Sequence, residues 1–216
     1  MSETTEAVSG ELVQPIILRI DKDNPCAEDE GIAAAALASV AAFLQDPENP
    51  LWASWSAGAF AKSVRRANPK MFAKVLEEFA DHALIEVGAA QAAGLGPLPA
   101  QALPKRLAKL QVSGTQLPAT EDRITGDIQI ILDASLGMST GKACAQAAHA
   151  LFAWLIQATG QSVKSWIDNG ATLGIRQCAR AEFLAGMNQA IGPVIHDAGR
   201  TEIDPGSATA YVVASN

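Results

Sequence analysis

The chain has 216 residues, 49% of them hydrophobic, and a formal net charge of −7. That hydrophobic share supports a buried core and excludes global disorder, and the length suits one large or two small domains. No apolar run approaches the roughly 20 residues that span a bilayer, and the acidic, polar start MSETTEAVSGE has the opposite character to a secretory or mitochondrial targeting segment. The cytosol is therefore the expected compartment. Cys26, Cys144 and Cys178 show no metal-ligand spacing, and their odd number argues against a full disulfide set. Neither a metal nor a cofactor is expected.

Taken in order, residues 1–12 are expected to form a disordered tail. Val13 to Ile20 reads as a strand, with Pro15 near its start. Gly31 to Leu44 (GIAAAALASVAAFL) reads as an Ala-rich, mostly buried helix, ended by the Pro-containing segment Asp46 to Pro50. Trp52 and Trp55 follow, then a strand from Ala59 to Val64. The stretch NPKMFAKVLEEFADH carries Met71, Val75, Leu76 and Phe79 at helical spacing, and Ala83 to Val87 reads as another strand. Gly94 to Pro104 reads as irregular, with a short basic helical turn at Lys105 to Leu110.

The second half opens with the apolar strand residues Ile128 and Ile130 to Leu132, a small-residue turn, and an Ala-rich helix ended by Gly160. Ser139 and Thr140 are both able to cap that helix. Trp166 precedes a loop, Thr172 to Cys178 reads as a strand, and Arg180 to Ala190 as a helix with Phe183, Leu184 and Met187 inward. Pro193 to Ile195 leads a strand into His196, and Thr209 to Ala214 forms the last strand. The expected fold is α/β, with small mixed sheets flanked by helices.

Lys142, Gln146 and His149 are spaced to share one helix face near its N-terminus, an end that favours bound negative charge. An ordinary solvated face has the same pattern. A nucleotide-binding P-loop does not fit: Gly137 and Gly141 enclose three residues instead of four, and Ala143 stands where the Mg²⁺-binding hydroxyl belongs.

The stretch LGMSTGKACAQAAHA resembles the first signature of the type 2 peptidyl-tRNA hydrolase family. HDAGRTEIDPGS, from His196 to Ser207, resembles the second. The resemblance covers Arg123 to Asn216. Lys142, Gln146, His149, Asp197, Arg200, Thr201 and Thr209 fall on matching positions. The position two residues before the signature Lys, commonly a second Lys in the family, is Thr140 here.

The resemblance implies hydrolysis of the ester joining a peptide to the 3′ ribose of tRNA. Water attack on that carbonyl needs a group to orient or deprotonate water, a donor for the developing oxyanion, and contacts for RNA. Asp197 is the candidate water base or orienter, and Lys142 the candidate oxyanion or phosphate donor. Thr201 and Thr209 offer hydroxyls, and His149 proton transfer or a tRNA contact. Gln146 and Arg200 are candidate substrate contacts. Each has a plainer reading: Asp197 and Arg200 as a structural ion pair, Thr209 as a strand residue, His149 as a structural histidine. A non-catalytic tRNA- or protein-binding adaptor that keeps the fold is the alternative, and a hydrolase of another acyl conjugate a third reading. Neither DNA nor a membrane is an expected partner.

The two halves share an order of strand, Ala-rich helix, Trp, strand, amphipathic helix, strand. An offset of 111 places Leu44 on Leu155, Trp55 on Trp166, Arg65 on Arg176, Phe72 on Phe183 and Gly88 on Gly199, while Asp21 meets Asp133 at one residue more. At that offset Lys142, Gln146 and His149 meet Gly31, Ala35 and Ala38. The expected organisation is a degenerate, inactive half over residues 13–96, a linker over 97–122, and a catalytic half over 123–216. Since the family resembled is typically homodimeric, the chain is expected to act as a monomeric internal pseudo-dimer. An acidic tRNA-binding protein needs a local basic surface. The basic residues concentrate in the first half, and Lys62, Arg65, Arg66 and Lys70 are candidate phosphate contacts.

Overall fold

A computed structural model describes residues 10–120, 124–199 and 201–215. In the first half these are β1 (Leu12–Arg19), α1 (Glu28–Gln45), α2 (Pro50–Ala57), β2 (Ala61–Ala67), α3 (Pro69–Glu78), β3 (Ala83–Val87), β4 (Ala90–Gly94), β5 (Leu98–Pro99) and α4 (Lys105–Ala108). In the second they are β6 (Ile128–Asp133), α5 (Thr140–Gln157), α6 (Gly160–Asp168), β7 (Leu173–Cys178), α7 (Arg180–Gly186), β8 (Ile195–His196) and β9 (Ala208–Ala214).

The first sheet runs β2-β1-β4-β3, with β5 beside the start of β1, and the second runs β7-β6-β9-β8. In each, the first pair is parallel and the other two are antiparallel. The mixed α/β architecture read from the sequence is therefore present twice, as two sheet-helix units of one topology. Pro15 is tolerated in a central strand because it lies where the antiparallel neighbour of β1 changes. Leu12 and Val13 pair with β5, and Ile16 to Leu18 with β4.

Alternation of side chains sorts each sheet between two cores. Ile16 and Leu18 face a large cluster built from α1, α5 and both sheets, while Ile17 and Ala93 face Phe72, Val75 and Leu107. Likewise Ile130, Leu132, Ala210 and Val212 face the shared cluster, and Ile131 and Tyr211 face Phe183. The central cluster is where the halves join. Its Ala-rich helices allow close approach: a Cβ on Gly94 would lie 2.0 Å from the Ala38 carbonyl oxygen of α1.

Several boundaries differ from those expected. α2 and α6 hold Trp52, Trp55 and Trp166, to whose stretches the sequence assigns no element; these short Trp-containing sequences lack a long apolar stripe. Gly160 starts α6 and does not end α5, which stops at Gln157. β4 occupies an Ala- and Gly-containing stretch of poor strand propensity, held by pairing with both β1 and β3. The segment read as a linker packs Leu107 and Leu110 into the outer core of the first sheet. Leu184 is 48% exposed, while Phe183 is the inward residue of α7.

The likeness of the two units extends to details. Trp55 Nε1 donates to the Ala61 carbonyl at 2.7 Å, and Trp166 Nε1 to the Thr172 carbonyl at 3.0 Å, six residues downstream in both cases. Phe60 and Ala171 share the left-handed backbone, with φ of 51° and 53°. The offset is not uniform. α1 and α5 each span 18 residues, offset by 112, which places Glu30, Ala34 and Leu37 at the positions of Lys142, Gln146 and His149. The sheet register sets Ile16 against Val64 and Ile130 against Ile175, so the counterpart of Asp133 is Arg19, not Asp21.

Candidate active site at the junction of the halves

Ser139 caps α5, its Oγ accepting from Lys142 N at 3.3 Å, and so fixes where the first helical turn begins. Thr140 takes another role: its hydroxyl donates to Glu28 Oε1 at 2.6 Å, tying the start of α5 to that of α1. Helical spacing then aims Lys142, Gln146 and His149 into one cleft of about 740 Å³. The opposite walls come from residues 195–198, from Thr201 and Glu202, and from the first half through Phe60, Lys62, Val64 and Val112.

Asp197 follows β8 and is the hub. Its Oδ2 accepts from Lys142 Nζ, and from Gln146 Nε2 at 2.6 Å. Its Oδ1 accepts from Gly199 N at 2.8 Å. Thr209 Oγ1 lies 2.8 Å from Gln146 Oε1, to which it donates, and 3.1 Å from the Ile195 carbonyl. The paired strands β8 and β9 therefore carry Asp197 and Thr209 to opposite ends of one amide. The Lys142 and Asp197 side chains are only 12% and 3% exposed, so the pair is formed largely out of water. Gly199 has φ of 70°, and a Cβ there would lie 2.6 Å from Pro205, so the turn that presents Asp197 requires glycine.

His149 lies on the same wall, its ring centroid 5.2 Å from that of Phe60. Burial, then the positive charges of Lys62 and Lys142, push its imidazole well below the usual histidine range. Thr201 lines the cleft from the loop beyond Asp197 and is exposed. Arg200 lies outside the described residues.

The basic candidates of the first half separate. Lys62 is in the cleft wall. Arg65 Nη1 donates to the Leu107 and Leu110 carbonyls at 2.9 and 3.2 Å, and Arg66 Nη1 to the Gly114 carbonyl at 3.0 Å. The two guanidinium groups clamp α4 and the segment after it to β2. Lys70 is exposed in the first turn of α3. Arg65, Arg66 and Lys70 are not among the residues that line the cleft.

Sequence reasoning missed Glu202, Phe60, Val64 and Val112. Glu202 lies inside the second signature and accepts from Ser139 N at 2.9 Å and Ser139 Oγ at 2.6 Å. No local signal marked it, because the helix N-terminus whose charge it suits lies 63 residues away in the chain. No local signal marks the other three, which reach the cleft only because the halves pack together.

The counterpart surface, between the start of α1 and β7, is lined by Glu28, Asp29, Ile175, Arg176 and Gln177. Gln177 Nε2 bonds both Glu28 Oε2 at 3.0 Å and Asp29 Oδ1 at 3.1 Å. At the positions of Lys142, Gln146 and His149, α1 carries Glu30, Ala34 and Leu37, so the polar row of the second half is not repeated there. Residues 127–215 match the family model described as peptidyl-tRNA hydrolase PTH2. The match takes in the whole second sheet, α5 and the Lys142–Gln146–Asp197–Thr209 network, and this half of the chain belongs to that family.

Proposed function

We propose that the cleft hydrolyses peptidyl-tRNA, releasing peptide and tRNA, and that the first half is a diverged copy without a site of its own. The observation that carries this reading is the buried Lys142–Asp197 pair, braced by Gln146 and Thr209, within a segment that matches the hydrolase family.

The chemistry follows from the donors and acceptors. Asp197 Oδ1 accepts one backbone hydrogen bond and retains capacity for a water. That water attacks the ester carbonyl carbon while its proton passes to the carboxylate. Lys142 has three N–H donors and uses one on Asp197, which leaves others for the oxyanion. Collapse of the tetrahedral intermediate breaks the bond to the 3′ oxygen, which takes the proton back from Asp197. Gln146 holds the carboxylate in orientation, and Thr209 fixes which way the amide faces by donating to its oxygen. Thr201 and neutral His149 contact substrate along the cleft. Phe60, Val64 and Val112 offer an apolar wall for the acyl side chain.

The test is release of N-acetyl amino acid from N-acetyl-aminoacyl-tRNA by wild type, Lys142→Met and Asp197→Asn. Turnover that falls on the order of 100-fold or more in each variant, assayed at a temperature where circular dichroism shows both still folded, supports the esterase. A well-folded wild type that binds tRNA in a salt-sensitive way without turnover would establish an adaptor instead.

A further inference from the structure

Lys62 is an unusual residue for a wall supplied by the half that lacks the network. Its ammonium stands 4.1, 4.4 and 4.5 Å from the ring centroids of Trp55, Phe152 and Phe60. It donates to Gln14 Oε1 at 2.9 Å. Phe152 belongs to α5, so both halves build the box. Lys62 is half-buried and lines the cleft, with three rings around its ammonium. Among the described residues no carboxylate pairs with it, whereas Lys142 has Asp197. Burial pushes the Lys62 ammonium well below the usual lysine range. Contact with the rings offsets part of that cost, and an anionic oxygen would offset more.

A buried lysine is often only a packed side chain, and the repeat decides whether the fold needs this one. The registers set Lys62 against Gln14 and Leu173 against Ile128. The shared turn pairs Phe60 with Ala171, and the helix offset pairs Phe152 with Val40. Trp55 and Trp166 alone are common to both. The same architecture is therefore complete with leucine, isoleucine, alanine and valine. The ammonium, its amide acceptor and two of the three rings occur only on the side that faces Asp197.

We propose that Lys62 is a substrate-contacting residue of this cleft, supplying from the first half a cation for an anionic oxygen of the bound RNA ester. The site is then a composite of both halves. This rests on the hydrolase reading and extends it. The shared chemistry has two sources: a phosphodiester oxygen of the RNA, or the oxyanion that develops on the scissile ester.

The test compares full-length wild type with Lys62→Leu, which copies the counterpart Leu173, and Lys62→Met, which keeps the stem among the rings. Hydrolysis of N-acetyl-aminoacyl-tRNA and binding of deacylated tRNA over a salt series are measured beside thermal unfolding. Both variants are expected to be at least as stable as wild type, so a merely structural lysine would leave function unchanged. Loss of kcat by on the order of 100-fold with unchanged tRNA affinity assigns the oxyanion. Weaker binding, with the slope against log salt reduced by about 0.7 to 0.9, assigns a phosphate. Wild-type turnover and binding in both variants would overturn the role of Lys62 and leave the hydrolase standing. A wild type that neither binds tRNA nor turns over would overturn both.

Discussion

Asp197 shows how one side chain acquires a function from its neighbours. Three donors converge on it, and the strongest, Lys142, is itself screened from water. Removing either charge leaves the other buried without its partner, so Asp197→Asn and Lys142→Met are each expected to lower stability, and their activities are compared where both remain folded. His149 gives a separate expectation at this scale. Its pKa in the folded protein lies below that of the unfolded chain, because burial and the two lysines disfavour its charged form. Between those values the unfolded chain binds the extra proton, so stability is lost as pH falls below about 6.5. Chemical denaturation of wild type and His149→Leu from pH 7 to pH 5 reads this directly. The variant should gain on wild type as pH falls, by at most about 1.4 kcal/mol per pH unit. A constant difference across the range would contradict it.

At the scale of elements, the start of α5 carries three tasks within two residues. Ser139 caps the helix and presents its N–H and hydroxyl to Glu202, and Thr140 joins α5 to α1. The cap and the carboxylate at the helix N-terminus act in the same sense. Ser139→Ala removes the cap and one of the two bonds to Glu202. It is expected to cost about 1 kcal/mol by denaturant unfolding and to release the loop that carries Thr201. Increased protease cleavage near residues 201–206, against an uncut wild type, checks the second part. A variant with wild-type stability would show that Glu202 alone suffices. The same element explains how legible the site was. Lys142, Gln146 and His149 fall on one face by helical spacing, so their convergence could be read from the chain. Asp197 directly follows β8 and Thr209 lies in β9, and what brings them to Gln146 is the antiparallel pairing of those strands.

Across the whole molecule, α1 and α5 form a common core with both sheets, and neither helix is amphipathic enough to face water alone. Ala147, Ala150, Leu151 and Phe152 of α5 are all buried in the shared cluster. Phe152 packs its ring 4.9 Å from Trp55 and 5.7 Å from Trp52, both from the first half. Residues 124–216 expressed alone would expose this surface. They are expected to self-associate or aggregate, as sedimentation velocity would show. A monomer with cooperative unfolding would mean the first half is dispensable for folding. Among the described residues no helix is long and apolar enough to cross a membrane.

The sequence by itself determined the α/β class, the second half's signatures, and the repeat of element order, because apolar periodicity and turn residues are local properties. It assigned no element where α2, α6 and β4 form, because short length or Ala and Gly composition leaves the choice to packing. It also grouped Lys62 with Arg65 and Arg66, since charge alone separates none of them. Only the tertiary structure decided that the two arginines clamp α4 and the segment after it while Lys62 enters the cleft. The physical reason is that a site at a junction is defined by two surfaces meeting, and the contact between them is written in neither stretch of chain.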